Sequence, residues 1–152
     1  MAFRSGAALL MICLMWTFPL SAKDVLSGPI TARVLRVIDG DTIEVAAHVW
    51  LGQTLVTLVR LDGVDTPEIH QPDCPSERIK GRAAKEFIIA RLEGADVTLR
   101  HIRYGKFAGR VVAQVEDSEG MDVSLLLVDQ GLGVPATSRS HAWCTAQAPP
   151  VR

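Results

Sequence analysis

Apolar and polar residues alternate from Ile30 to Val37 (ITARVLRV), and several of the apolar ones are β-branched, so this segment predicts a strand with one buried face. The pattern returns from Thr42 (TIEVAAHVW) and from Thr54 to Leu61 (TLVTLVRL), with Asp39-Gly40-Asp41 and Gly52-Gln53 as the intervening turns. A different period follows. Between Glu77 and Glu93, Ala83, Ala84, Phe87, Ile88, Arg91 and Leu92 recur at helical spacing, and Gly94 supplies a stop. Strands resume at Asp96 to Ile102 (DVTLRHI) and Arg110 to Val115 (RVVAQV). A short helix is expected from Val123 to Gln130, capped by Asp122 and ended by Gly131. From Leu132 onward Gly, Pro, Ser and Thr dominate and the periodicity stops.

Three strands, a helix, two strands and a second helix predict an α+β fold, mainly β with α: a five-stranded OB-fold-like Greek-key barrel with two helices. Such barrels bind oligonucleotides or oligosaccharides, so the fold alone does not choose a ligand. Ahead of the barrel, Met1 to Arg4 is basic, Ala7 to Leu20 is apolar apart from Thr17 and Pro19, and Ser21-Ala22 is small. That is the layout of a secretory signal peptide cleaved after Ala22. The rival reading, an uncleaved membrane anchor, is disfavoured because the apolar run is shorter than the roughly 20 residues of a spanning helix. The expected organisation is a signal peptide at 1–22, a short lead at 23–29, the barrel domain at 30–133 and an irregular tail at 134–152. The expected product is exported, periplasmic or secreted, monomeric, and without stable membrane association after cleavage.

Cysteine usage follows from the leader. Cys13 lies within it, which leaves Cys74 and Cys144, and an even count in an exported chain suggests one disulfide. It would close a loop of about 70 residues, contribute roughly 4 kcal/mol on the chain-entropy model, and tie the tail back. The alternative is two unrelated free thiols. Composition then limits the partners. With 152 residues, 48% hydrophobic and 22% charged, the chain suits one folded domain and not a disordered segment. Its formal net charge of −1, made more acidic by loss of Arg4, lacks the positive excess that holds polyanions non-specifically. Nucleic-acid recognition would therefore need a local site.

Three clusters combine turn residues with charge: Asp39-Gly40-Asp41-Thr42, Arg60 followed by Asp65-Thr66-Pro67-Glu68, and Gly109-Arg110. Taken singly, each is an ordinary turn or a solvated strand edge. Together they offer carboxylates from separate loops, an oxygen-rich set that favours calcium over zinc. His48, His70, His101 and His141 show no paired spacing for a zinc site.

In order and spacing the clusters resemble the staphylococcal nuclease (thermonuclease) family: a strand leading into Asp-Gly-Asp-Thr, an Arg closing a later strand, Asp-Thr-Pro-Glu beginning five residues on, and Gly-Arg opening the strand beyond the first helix. Lys80-Gly81-Arg82-Ala83-Ala84 and the run from Asp122 to Leu132 are similar as well, so the resemblance spans about Ile30 to Gly133. It implies calcium-dependent hydrolysis of phosphodiesters in single-stranded or frayed DNA and in RNA. Asp41, Asp65 and the Thr66 carbonyl would hold Ca2+, with Asp39 acting through water. Glu68 would serve as general base or orient the water, and Arg60 and Arg110 would neutralise the phosphoryl oxygens.

The chain also departs from the pattern. Tyr104-Gly105-Lys106 offers a second alignment to the third cluster; Arg110 is preferred because RVVAQV follows it directly, which leaves Lys106 as an accessory phosphate contact. Gly133-Val134-Pro135-Ala136 has no aromatic, so Tyr104, the single Tyr, must supply any stacking on the nucleotide. A rival from another class is a non-catalytic OB-fold binding or accessory protein of the periplasm or cell surface, linked to polysaccharide assembly. The lost aromatic and the acidic balance favour it; the intact Asp and Arg set opposes it.

Overall fold

Burial alternates along the strands as the pattern requires, with one instructive break. In β2 (Ile30–Val37) the buried positions are Ala32, Val34 and Val37, because a bulge between Val34 and Arg36 shifts the phase by one residue. The computed structural model describes residues 24–106, 109–137 and 143–144; the expected signal peptide and most of the tail lie outside the described residues. In chain order the remaining elements are β1 (Val25–Leu26), β3 (Thr42–Trp50), β4 (Gln53–Leu61), β5 (Val64–Asp65), α1 (Pro75–Leu92), β6 (Asp96–Tyr104), β7 (Arg110–Glu116), α2 (Val123–Asp129) and β8 (Val134–Pro135).

The sheet runs β1-β6-β2-β3-β4-β7, and an added β6–β7 pairing closes β2, β3, β4, β7 and β6 into a barrel. The other barrel pairings are antiparallel. β4 and β7 are parallel, with Leu58 opposite Arg110 and Arg60 opposite Val112. Val34, Ile43, Val45, Val59, Leu61, Leu99 and Val115 fill the interior and meet Ile88 and Leu92 of α1 and Leu127 of α2. Burying each of these large side chains contributes about 1.5–3 kcal/mol.

Helix α1 starts at Pro75, two residues before the expected Glu77, since proline lacks only an amide that the first turn would leave unused. Its buried stripe is Glu77, Gly81, Ala84, Ile88 and Leu92. Gly94, at φ +73°, takes the left-handed conformation just past its end. Helix α2 is capped as expected: an Asp122 carboxylate oxygen accepts from the amides of Ser124 at 2.8 Å and Leu125 at 3.4 Å. Both segments expected to flank the barrel carry a short strand. Val25–Leu26 of the lead pairs with β6, and Val134–Pro135 of the tail pairs with β5. Cys74 and Cys144 are joined at 2.06 Å, and Lys80 Nζ donates to the Trp143 carbonyl at 2.9 Å, which lays this part of the tail on α1. Among the described residues, no helix is long and apolar enough to cross a membrane.

Candidate active site

The β3–β4 register sets Thr42 opposite Arg60, and the Leu61 amide donates to the Asp41 carbonyl at 2.8 Å. The Asp39–Thr42 turn is thereby held beside Arg60. Asp41 is 3% exposed. Its Oδ1 accepts from Arg60 Nη1 at 2.8 Å and from Thr42 Oγ1 at 3.0 Å, and its Oδ2 from the Thr66 amide at 3.2 Å. Arg60 Nη2 reaches Asp65 Oδ1 at 2.5 Å. Asp41, Arg60, Asp65 and Thr66, drawn from three separate segments, are therefore brought into one cluster. Asp39 supports the turn by accepting from the Asp41 amide at 3.1 Å.

Helix α1 fixes the loop that carries Asp65 to Glu68, and glycine makes the approach close enough. A Cβ on Gly81 would stand 2.5 Å from the Pro67 carbonyl oxygen, and one on Gly40 would stand 2.8 Å from both the Ala84 Cβ and the Thr66 Oγ1. The buried Glu77 completes the attachment, accepting from the Asp73 amide at 2.6 Å and the Glu68 amide at 3.3 Å. Glu68 itself is exposed, and its Oε1 accepts from the amides of Ile69 at 3.0 Å and His70 at 3.1 Å within its own loop. It is on the same loop as Asp65 but does not hydrogen-bond to the cluster.

A cleft of about 460 Å³ adjoins the cluster, lined by Arg60, Arg103, Lys106 and Arg110 together with Val112 and Asp62. The strand register explains the convergence: Arg110, Arg60 and Arg103 each stand opposite a residue on one shared sheet face, through the pairs Leu58–Arg110, Arg60–Val112 and Arg103–Val112. Arg103 makes a two-fold contact with Asp62, at 2.7 Å from each nitrogen. Tyr104, 82% exposed, does not line this cleft; it lines a neighbouring groove that shares Arg103 and Arg110.

Burial pushes the Asp41 carboxyl up to about 6, outweighing the opposing pull of Arg60, while nearby Asp39 pushes it further up. A buried carboxylate that ionises reluctantly is one that a cation would relieve. The donors present, Asp41, Asp65 and the Thr66 carbonyl, are all oxygen, which fits a hard divalent ion such as calcium and not zinc. Asp39 does not join Asp41 and Asp65 in a tight three-carboxylate set. The one such grouping of ligand atoms among the described residues is Cys74, Glu77 and Cys144, whose sulfurs are committed to the disulfide.

A family model described as staphylococcal nuclease homologue matches residues 58–148. The chain belongs to that family. Two curated relatives, each called "Uncharacterized endonuclease", come from Escherichia coli and Escherichia coli O157:H7; each is 32% identical over 107 residues, or 70% of this chain. The chain spans 61% of the length of these relatives. Of the positions quoted from the sequence, Asp41, Arg60, Asp65 and Thr66 meet in one cluster of this staphylococcal nuclease homologue, and Arg110 lines the cleft beside it. Three contributors escape a reading of the sequence: Glu77, which reads as an ordinary first-turn acid; the close approach at Gly81; and the Asp62–Arg103 pair, whose partners are 41 residues apart.

Proposed function

We propose that the protein is an exported, calcium-dependent nuclease that hydrolyses phosphodiester bonds in single-stranded DNA or RNA, as a monomer in the periplasm or outside the cell. The observation that carries this reading is the Arg60 guanidinium clasped by Asp41 and Asp65 at the edge of a cleft that also holds Arg103, Lys106 and Arg110. Family membership and the name of the two relatives support it.

Asp41, Asp65 and the Thr66 carbonyl would hold calcium in this reading, with Asp39 acting through water. The chemistry that such an ion would supply when bound is Lewis-acid stabilisation of charge at a phosphoryl oxygen. Arg60 and Arg110 donate to the phosphoryl oxygens in the transition state, and Lys106 adds a longer-range charge. Glu68 takes the proton of the attacking water: its Oε1 is fixed by two amides, which leaves Oε2 to accept. The water oxygen bonds to phosphorus, one P–O ester bond breaks, and the leaving oxygen takes a proton from solvent. Glu77 is a positioning residue for the loop bearing Glu68.

Cleavage of single-stranded DNA and RNA by the purified oxidised protein, with calcium and then with chelator, tests the reading beside Arg60→Ala as a contamination control. The expected result is cutting that needs both calcium and Arg60. A folded, disulfide-bonded protein that does not cut would leave the non-catalytic binding barrel as the better reading.

A further inference from the structure

The β3–β4 hairpin runs on past the barrel. Among the described residues, β2 accompanies β3 only as far as Ala47, which pairs with Ala32, and β7 accompanies β4 only from Leu58, which stands opposite Arg110. Beyond those limits the two strands have only each other, through pairs such as His48–Thr54 and Trp50–Gln53. Every residue at 48–56 is exposed as a result. A ribbon bathed in water would be polar there, yet Val49, Trp50, Leu51, Leu55 and Val56 are large and apolar; Trp50 is 73% exposed and Leu51, in the turn, 91%. Residues 45–59 include no Asp, Glu, Lys or Arg, in a chain that is 22% charged overall. Exposed strand edges are normally guarded by charge, so the omission marks a surface that something apolar covers.

We infer that this hairpin tip is a membrane-docking element that dips into the interfacial layer of a lipid bilayer. Two observations select a bilayer over a protein partner. Leu55 and Val56 are successive on β4, so their side chains leave opposite faces of the ribbon. A protein partner covers one face, whereas lipid surrounds the tip. The second observation is where the chain enters the barrel. Asp24, Val25 and Leu26 wall a groove together with Leu55, so the expected leader, whose apolar run meets a bilayer during export, joins the molecule at the hairpin's own end. The backbone limits the depth: the outer edges of the ribbon carry amides and carbonyls that hydrocarbon cannot satisfy but the headgroup layer can. Trp50 suits that level, since its ring is apolar and its indole N–H polar. No charged side chain of the tip has to be dehydrated on the way in. Arg60 stands seven residues from Gln53 along β4, roughly 23 Å at the rise of a strand, so a docked tip leaves Arg60 outside the lipid. The association is peripheral and reversible, and it adds a location to the nuclease reading without resting on it.

The test is partition of the purified exported protein onto vesicles of phosphatidylcholine alone, read by co-sedimentation at low and at high salt. Binding is expected at both, because an uncharged tip owes nothing to ionic attraction. Leu51→Asp and Trp50→Ser should each lower the partition coefficient by at least about tenfold, the loss that matches one large apolar side chain. Leu125→Asp, at an exposed position on α2, should leave it unchanged. With Trp143→Phe as background, Trp50 is the one tryptophan left beyond the leader, and its emission should shift to the blue and be quenched by lipids brominated on their acyl chains. Both tip side chains are exposed, and thermal melting checks that the fold persists. A folded protein that stays in the supernatant overturns the inference, as does binding that Leu51→Asp leaves intact or that high salt abolishes. If the protein sediments as a dimer without lipid and Leu51→Asp makes it a monomer, a second copy covers the tip and the inference is overturned as well. None of these outcomes depends on whether the protein cuts nucleic acid.

Discussion

Arg60 donates from Nη1 to Asp41 at 2.8 Å and from Nη2 to Asp65 at 2.5 Å, so a single guanidinium holds two carboxylates from different loops together. Without a cation, Arg60 is the main source of positive charge for the buried Asp41, and a metal ion would take over part of that work. Arg60→Ala should destabilise the metal-free protein by on the order of 3 kcal/mol, because it leaves a buried carboxylate uncompensated. Calcium should then raise the melting temperature of Arg60→Ala more than that of the wild type. Cleavage should fall by about 10²-fold or more even with calcium saturating. An equal calcium increment in the two proteins, read by thermal melting, would show that Arg60 and the ion do not share the site.

The attachment to α1 of the loop that carries Asp65 to Glu68 gives a prediction in which two effects oppose each other. Alanine is better than glycine inside a helix by about 1 kcal/mol. At Gly81, however, the added methyl would stand 2.5 Å from the Pro67 carbonyl oxygen, which is backbone and cannot swing away. Overpacking of this kind costs about 1–3 kcal/mol, so Gly81→Ala should be net destabilising. It should also displace Thr66 and Glu68 and lower kcat. Ala83, exposed on the same helix, provides the comparison through Ala83→Gly, which should lower stability by about 1 kcal/mol and leave kcat alone. A Gly81→Ala protein more stable than wild type would refute the close-packing argument.

These two sites mark how far the sequence could be read. The strand and helix periods, the Asp122 cap and the Asp, Thr and Arg motifs are local signals, and they locate the elements except for the bulge in β2 and the first two residues of α1. The β4–β7 pairing is different. It is parallel and joins Leu58–Leu61 to Arg110–Ala113 across α1 and β6, so no turn motif announces it; yet it is what brings Arg60 and Arg110 to one face. Strands as short as Val25–Leu26 and Val134–Pro135 carry too few residues to show a period. Glu77 reads as a first-turn acid on a helix, and only the folded loop reveals that it satisfies the amides of Glu68 and Asp73. Motif residues are thus legible one by one, whereas the contacts that hold them depend on pairings between distant segments.

The Asp62–Arg103 pair yields a gain-of-binding prediction. Arg103 faces the cleft but is engaged by Asp62, whose carboxyl is held below its ordinary range by hydrogen bonds from Arg103. Both side chains are about as exposed as an ordinary surface pair, at 40% and 37%, so breaking the pair should cost no more than about 1 kcal/mol of stability. Asp62→Asn removes a negative charge beside the cleft and releases a guanidinium for phosphate. Oligonucleotide affinity in low salt should rise several-fold, and the dependence of log K on log salt should steepen by about 0.7, the increment for one further phosphate on a single strand. An unchanged salt slope would mean that Arg103 does not face the bound strand.

Asp41 sets the pH dependence, and its sign is opposite to that of a salt-bridged surface acid. Its carboxyl is raised from an ordinary 3.8 to about 6, first by burial, so the folded state binds this proton more tightly than the unfolded chain does. The metal-free protein therefore loses stability from this group as pH rises from about 4 through 6, by an amount on the order of 3 kcal/mol. Asp62, held low by Arg103, contributes in the other direction: its stabilisation is present at neutral pH and is lost as pH falls below the ordinary carboxylate range. With calcium held by Asp41 as proposed, binding would require this carboxyl ionised, and the ion would compete with the proton. The melting temperature gained on adding calcium should be small at pH 5, grow as pH rises through about 6, and level off near pH 7.5. Cleavage at sub-saturating calcium should follow the same curve, while saturating calcium should move its midpoint to lower pH. A calcium increment that is the same at pH 5 and pH 7.5 would remove Asp41 from the metal site and leave its burial as a property of the barrel alone.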